Sequence, residues 1–539
     1  MKKIILGLVV GIMSLLIAGI VNAHVAPANY IIYRNGNTYY AKNGQTGVND
    51  YSGTNPSTVI QSALNALTSG RTWQEKIAFK GNFDFGANPV YINLPSYVIL
   101  DFSSALIKVQ SNLSTSNTTL FYGNSVSSVT IQNGIFDGVV GTRTSNLRQY
   151  RFFAFTGTDA SPSSQIKILS TEFKNISGVL AYFDYSSYID VSYNKCRDDY
   201  QTSGIVNDLS YVSYGKFTHN LVRIWDKPIG LLDSDHILIT DNIFEMKDVG
   251  IGVDLTQNAT TNVDSEITIA DNQFIHCRSG ISIHDSTSTT FKNIKINGNI
   301  FSYCGGLDGA GTATGASVYN DIEGFEITDN LFVNCDKAIM LAAVSAGTNL
   351  RRVKIINNSF FHLGDQLGSG LSGYGLWNSN GSTIYDQFLI SENMFYDISS
   401  AVVDSWAISG ILTNSEVSNN KFLGSRLPAR GIYLQTGSST NRIFENTFSG
   451  LSSGGIITGT LTGTKIQFNI GYATDNSGTS TGTGSQQVIA HGLAQIPNRV
   501  FLTNEDNGAN PYQSAVADAT NIYITAVNGK KYQWEVKVE

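Results

Sequence analysis

Short runs of alternating apolar and polar residues recur along the chain, and each closes on Asn-x-Phe. They read ILITDNIF (237–244), ITIADNQF (267–274), IKINGNIF (294–301), FEITDNLF (325–332), VKIINNSF (353–360), FLISENMF (388–395), EVSNNKF (416–422) and RIFENTF (442–448). Their asparagines, Asn242, Asn272, Asn299, Asn330, Asn358, Asn393, Asn420 and Asn446, follow one another at 26 to 35 residues. Weaker copies lie at Asn194 (IDVSYNKC) and Asn220 (FTHNLV), with degenerate ones around Phe136 and Phe173. Alternation with period two predicts strands. Recurrence at this period predicts a stacked-repeat fold.

Each unit holds a strand, a turn and usually a second strand opening on a small residue before an aliphatic one, as in Gly250-Ile251, Gly280-Ile281, Ala338-Ile339, Ala401-Val402 and Gly431-Ile432. No amphipathic helical pattern separates the strands, which excludes leucine-rich and βαβ repeats. The uneven spacing fits poorly with propeller blades. The expected fold is therefore all-β, a solenoid of short strands wound as a parallel β-helix. Equivalent residues of neighbouring units would stack about 4.8 Å apart. The recurrent Asn suits a corner, because it tolerates a left-handed backbone and its amide can bond to the Asn above and below. The Phe two positions later points the same way and would form an internal stack. Cys277, Cys304 and Cys335, each five residues after its Asn, would form one buried column.

Composition sharpens this picture. The chain of 539 residues is 42% hydrophobic but only 14% charged, with 52 glycines, which opposes a helical fold. A formal charge of −7 with no Lys/Arg run excludes a nucleic-acid partner. Four cysteines without a C-x-x-C are too few for a disulfide framework or a zinc ribbon. Lys2 and Lys3, an apolar run from Ile4 to Val21 and the sequence Val21-Asn22-Ala23 read as a signal peptide cleaved after Ala23. The mature chain, at −9 without those two lysines, is expected to be secreted or at the cell surface, with no membrane segment after cleavage.

Residues 90–470 resemble the right-handed parallel β-helix, or pectin-lyase-like, superfamily, which includes pectate and alginate lyases, polygalacturonase-type hydrolases, epimerases and phage tailspikes. The stretch PSTVIQSALNALTSG (56–70) reads as a short helix, with Val59, Ile60, Ala63, Leu64 and Leu67 on one face, Ser57 or Thr58 capping its start and Gly70 its end. The resemblance implies that this helix plugs the first rung. KIAFKGNFDF (76–85) and LPSYVILDFSSALIKV (94–109) would begin the winding. The expected organisation is a signal peptide (1–23), an N-terminal cap region (24–89), the β-helix (90–470), a Gly/Ser/Thr linker (471–485) and a small antiparallel module of four or five strands (486–539). That module could bind sugar, mediate homo-oligomerisation or cover the end of the coil. His491 there reads as structural.

The same resemblance places chemistry on the outer face of adjacent coils. Aligning GIVND (204–208), GLLDSD (230–235), GIGVD (250–254) and GISIHD (280–285) on their first Gly gives a polar column of Asp208, Ser234 flanked by Asp233 and Asp235, Asp254, and His284 followed by Asp285. Asp208, Asp233, Asp254, His284 and Asp285 are the candidate catalytic residues. Carboxylates one or two rungs apart would be about 5 or about 10 Å from each other, bracketing retaining and inverting glycoside hydrolysis. They could equally hold Ca²⁺, as in pectate-lyase-like sites. Asp198 and Asp199, within Cys196-Arg197-Asp198-Asp199-Tyr200, resemble the paired Asp of polygalacturonase-type hydrolases, but the accompanying Gly-His-Gly and Arg-Ile-Lys motifs are absent. Arg223 and Lys227 would bind an acidic sugar. Tyr182, Phe183, Tyr185, Tyr188, Tyr193 and Tyr200 crowd the early coils, with about half expected inside. Two functions follow: a secreted polysaccharide lyase or glycoside hydrolase, or a non-catalytic surface, adhesion or tailspike-like protein that binds glycan.

Overall fold

The computed structural model describes residues 28–86, 91–109, 118–138, 150–175, 179–197, 205–246, 250–257, 266–285, 291–304, 314–318, 322–341, 349–364, 373–378, 383–398, 405–424, 429–451, 455–458, 461–505 and 512–538. The predicted signal peptide, Asp198, Asp199, Tyr200 and Ala401-Val402 lie outside them. From Glu75–Asp84 to Lys465–Gln467 the strands pair in parallel, each with its counterpart one turn further along the chain. One turn shows the plan. Gln273–Ile275 stacks on Ile300–Ser302, Ser279–Asp285 on Thr314–Val318, and Lys295–Asn297 on Glu326–Thr328, giving three faces to the coil. The expected parallel β-helix is the observed fold.

The Asn ladder runs from Asn194 to Asn469. At each rung the amide Nδ2 donates to Oδ1 of the next Asn, at 2.9 Å from Asn242 to Asn272 and 3.0 Å from Asn272 to Asn299. The backbone N–H of each Asn donates to the same oxygen, and Nδ2 also reaches a carbonyl of the preceding coil. Every polar atom of a buried corner is thereby satisfied. The left-handed residue, however, is the one before the Asn: Asp241, Asp271, Gly298, Asp329, Asn357, Glu392, Asn419 and Glu445 all have φ between 55° and 66°. Asn stands in the ladder for its amide, and its neighbour takes the backbone turn.

Two positions on, Phe244, Phe274, Phe301, Phe332, Phe360, Phe395, Phe422 and Phe448 stack with centroids 4.5 to 5.3 Å apart. Cys277, Cys304 and Cys335 are buried and unbridged, one column as expected. The Phe rings dictate the small-residue positions. A Cβ on Gly252 would lie 2.5 Å from the Phe274 ring, and one on Gly375 2.6 Å from Phe395. The true column, Gly252, Gly280, Ala338, Gly375, Ala407, Gly431 and Gly455, follows from the register of the residues after them. Gly250 lies two positions off it.

At the N-terminal end Tyr30–Asn35, Thr38–Asn43 and Asn49–Gly53 form an antiparallel meander, and the first of these pairs in parallel with Glu75–Asp84. Helix α1 (Pro56–Asn65) buries Val59, Ile60, Ala63 and Leu64 against it and the first coil. Its cap is Asn55, whose side chain accepts from Ser57 N, with Pro56 at the first helical position; Ala66 closes the helix, ahead of Gly70. Asn55 outcompetes Ser57 because Pro56 behind it has the fixed φ that starts a helix.

Among the described residues the C-terminal module has six strands in two antiparallel sheets, against the four or five expected. Asp475–Thr481, Lys531–Lys537 and Arg499–Asn504 make one, and Gln486–Ala490, Asn521–Ala526 and Tyr512–Ala517 the other. Its first strand falls inside the Gly/Ser/Thr stretch read as a linker, because in-register pairing with Lys531–Lys537 supplies the order that composition lacks. Ile522, Ile524, Tyr532, Trp534 and Val536 form its core. His491 is fully buried, accepting from Leu493 N at Nδ1 and donating from Nε2 to Asp518 O, a structural role.

Candidate functional site

The face that contains Ser279–Asp285 carries Asp208, Lys227 and Asp254 of the polar residues singled out in the sequence. Alternation decides which point outward. Ala181, Asn207, Ile229, Val253 and Ile281 form one inward column, and Phe183, Leu209, Leu231, Leu255 and Ile283 another. The residues between them form an outward column: Tyr182, Asp208, Gly230, Asp254, Ser282. Asp208 and Asp254 therefore do share a column, two rungs or about 10 Å apart. Gly230 leaves a notch between them.

Three positions earlier on each strand a second outward column holds Arg151 and Lys227. Each cation leans onto the residue three positions further along in the next coil. The Arg151 guanidinium sits 3.8 Å from the Tyr182 ring centroid, and Lys227 Nζ pairs with the Asp254 carboxylate. Asp184, two residues past Tyr182, completes the group.

The electrostatics differ from acid to acid. Burial raises the Asp208 carboxyl above the usual range; Arg151 and Lys227 pull it down, Asp184 pushes it up, and the net shift is upward. Asp184 is also raised by burial, against a Tyr182 hydrogen bond and the Arg151 charge. Tyr182 is raised by burial and by Asp184. Asp254 is almost fully enclosed and ion-paired. Arg151 Nε is buried with no hydrogen-bond partner, as is Asn207 Oδ1 in the otherwise apolar column beneath Asp208.

Other candidates lie elsewhere. Asp233 is not in the column: it is a buried left-handed corner residue (φ 47°), following the corner positions of Tyr185 and Tyr211. Aligning on Gly230 misplaced it, since Gly230 pairs with Asp208 itself. The backbone of His284 pairs with Thr256 and that of Asp285 with Gln257, so His284 falls in the Asp184–Ser210–Leu232–Thr256 column, four rungs from Asp184. The side chains of His284 and Asp285 are outside the described residues. Arg223 lies on a different face, in an exposed ion pair with Glu245 at 2.6 Å. Sequence reasoning missed Arg151 and Asp184. Asp184 was visible as the polar alternate of Phe183, but Arg151 had no repeat motif beside it.

This coil, with its stacked polar ladder and one-sided outward cluster, defines a right-handed parallel β-helix protein. Residues 163–411 match the family described as periplasmic copper-binding protein (NosD). Among solved structures the chain is similar to a mutant tailspike protein of E. coli bacteriophage HK620 in complex with a pentasaccharide, with 12% identity, 90% of each chain covered and a TM-score of 0.56. A double mutant of the same tailspike gives 0.58 over the same coverage at 12% identity. The Azotobacter vinelandii mannuronan C-5 epimerase AlgE6 A-module aligns with 77% of this chain and 95% of its own, at 12% identity and a TM-score of 0.41. At such identities the tailspike likeness is one of fold. No curated protein matches the chain in sequence.

The described residues gather no ligand set for a copper or calcium ion. Among the described residues no three His, Cys, Asp or Glu side chains come together as a metal-binding group. Burial pushes the Cys196 and Cys335 thiols up, and the hydrogen bond with Cys277, together with burial, raises Cys304, opposing the thiolate a soft metal needs. Asp254, the enclosed acid of the cluster, is matched by Lys227.

Proposed function

We propose that this protein binds and cleaves a polysaccharide laid along the outward Asp208–Gly230–Asp254 column. The observation that carries this reading is two carboxylates in one column, Asp208 half-buried and Asp254 almost fully enclosed, two rungs apart across a glycine notch. Asp208, its carboxyl raised by burial, donates a proton to the leaving glycosidic oxygen. Asp254, paired with Lys227, draws a proton from water entering the notch. The roughly 10 Å rung separation of the two backbones is nearer the inverting arrangement, in which a water must fit between the acids, than the roughly 5 Å retaining one. Arg151 and Tyr182 would position the sugar. A lyase would instead leave an unsaturated uronate, so reducing ends and uronate absorbance should be followed together. Asp208→Asn should lower turnover by about 10²–10⁴-fold. Wild-type activity should be present at low pH and fall as pH rises through the raised Asp208 pKa. An active wild type whose Asp208→Asn variant keeps full rate would sink the assignment.

The enclosure of Asp254, 3% exposed, favours a second reading in which the face binds glycan without cleaving it. No cleavage of any glycan by wild type, with binding retained, would select it. We place the protein outside the cytoplasm, on the predicted leader and on the likeness to a family named periplasmic. No helix of the described residues is long and apolar enough to cross a membrane. Val488 and Val516 flank Tyr523 on the outer face of the C-terminal module, and both are 60% exposed, which supports self-association through that face.

A further inference from the structure

The column that supplies Arg151 and Lys227 does not end at the acid cluster. It continues through Ile251, Ser279, Thr314, Lys337, Tyr374, Trp406 and Arg430. Lys337 repeats the diagonal lean of Arg151 and Lys227. Its Nζ sits 3.9 Å from the ring centroid of Trp377, three positions further along in the next coil. Trp377 also stacks on Tyr374 at 5.1 Å. One coil later Trp406 leans in the same way onto Tyr433 at 4.8 Å, and the Arg430 guanidinium lies 4.7 Å from the Trp406 centroid.

The fold does not call for the lysine. Ser279 and Thr314 occupy the same column at no electrostatic cost, whereas Lys337 is 5% exposed and burial lowers its ammonium to about 8 against the pull of Asp336. A desolvated cation among indole and phenol rings, on an outward column, is a place prepared for an anionic partner with flat apolar faces. A sugar bearing a carboxylate has that chemistry. Lys227 and Lys337 stand four rungs apart, about 19 Å along the coil axis, so one extended chain lying along the face would reach both.

We propose that Lys337, Trp377, Trp406 and Arg430 form a second glycan subsite, which takes a carboxylate-bearing stretch of the polysaccharide handled at the acid cluster. The assignment rests on the functional reading above for its ligand class, but not on cleavage. The test is affinity electrophoresis of the full chain in gels containing a linear polyuronate or the same polymer with its carboxyls reduced. Lys337→Gln and Arg430→Gln should each weaken binding to the polyuronate about tenfold and leave the reduced polymer unaffected. Trp377→Ala should weaken both. Wild-type binding by both charge variants, with unchanged thermal melting, overturns the subsite, as does a wild type that binds the two polymers equally or not at all. Asp208→Asn separates the two proposals. If it cleaves normally while Lys337→Gln releases polymer, the acid-cluster reading fails and the subsite stands; loss of cleavage in Asp208→Asn with unchanged binding in Lys337→Gln and Arg430→Gln gives the reverse.

Discussion

The early and late coils fill the same interior in different ways. From Phe274 to Phe448 the rings lie nearly parallel, 3° to 6° apart between neighbours. In the early coils Phe102, Phe121, Phe136, Phe152, Phe153 and Phe173 meet largely edge to face, Phe136 with Phe152 at 76° and Phe153 with Phe173 at 86°. An identical side chain at every rung forces a ladder; a crowd of rings from several positions packs as an ordinary core does. The acid cluster sits where one regime gives way to the other, between Arg151 and Asp254. A ladder specifies its coil by repetition, so a site is easier to accommodate where the repetition has loosened.

That contrast can be broken by mutation. Phe360→Ala removes a ring stacked on both sides and should cost about 4–5 kcal/mol, whereas Phe152→Ala, in a cluster that can close over the gap, should cost about 3 kcal/mol by urea midpoint. Equal losses, or the reverse order, would mean that the ladder is no stiffer than the cluster. Lys227 and Arg223 sharpen the outer-face comparison, being four residues apart on different faces. Lys227→Ala strands the enclosed Asp254 carboxylate and should destabilise by about 3 kcal/mol. Arg223→Ala, whose side chain is 61% exposed, should cost less than about 0.5 kcal/mol. Between these lies an acid effect in the first coils. Burial would raise Asp101, but bonds from Lys76, Asn133 and Ser103 N outweigh it and hold the carboxyl at about 2. A depressed carboxylate stabilises the fold above its unfolded pKa and loses that contribution as pH falls through the folded one. About 2 kcal/mol should therefore vanish between roughly pH 4 and pH 2, and Asp101→Asn should flatten that part of the curve.

What could be read from the chain divides along the same line. The Asn and Phe ladders were legible because identical residues recur where identical contacts recur, and they carried the fold. Coil register was harder, because a small residue before an aliphatic one marks two different places: Gly280 sits against the Phe stack, while Gly230 stands on the outer column with Asp208. That ambiguity put Asp233 and His284 into a column they do not share with Asp208. Asp208 and Asp254 came out together because Gly204 and Gly250 precede them at equal distance. Arg151 and Asp184 belong to coils whose Asn-x-Phe signal is degenerate, and only three-dimensional stacking brings them to the cluster.

The asparagine ladder also gives the coil an electrical direction. Each amide turns its oxygen toward the preceding coil and its nitrogen toward the next, from Asn194 to Asn469, so their dipoles line up head to tail and polarise one another. The two ends then need opposite chemistry. The first oxygen is met by a donor, Thr171 N, while the last amide keeps the contacts, to the carbonyls of Ile443 and Gln467, that most other rungs also make. A coil added at either end would have to arrive with the matching polarity.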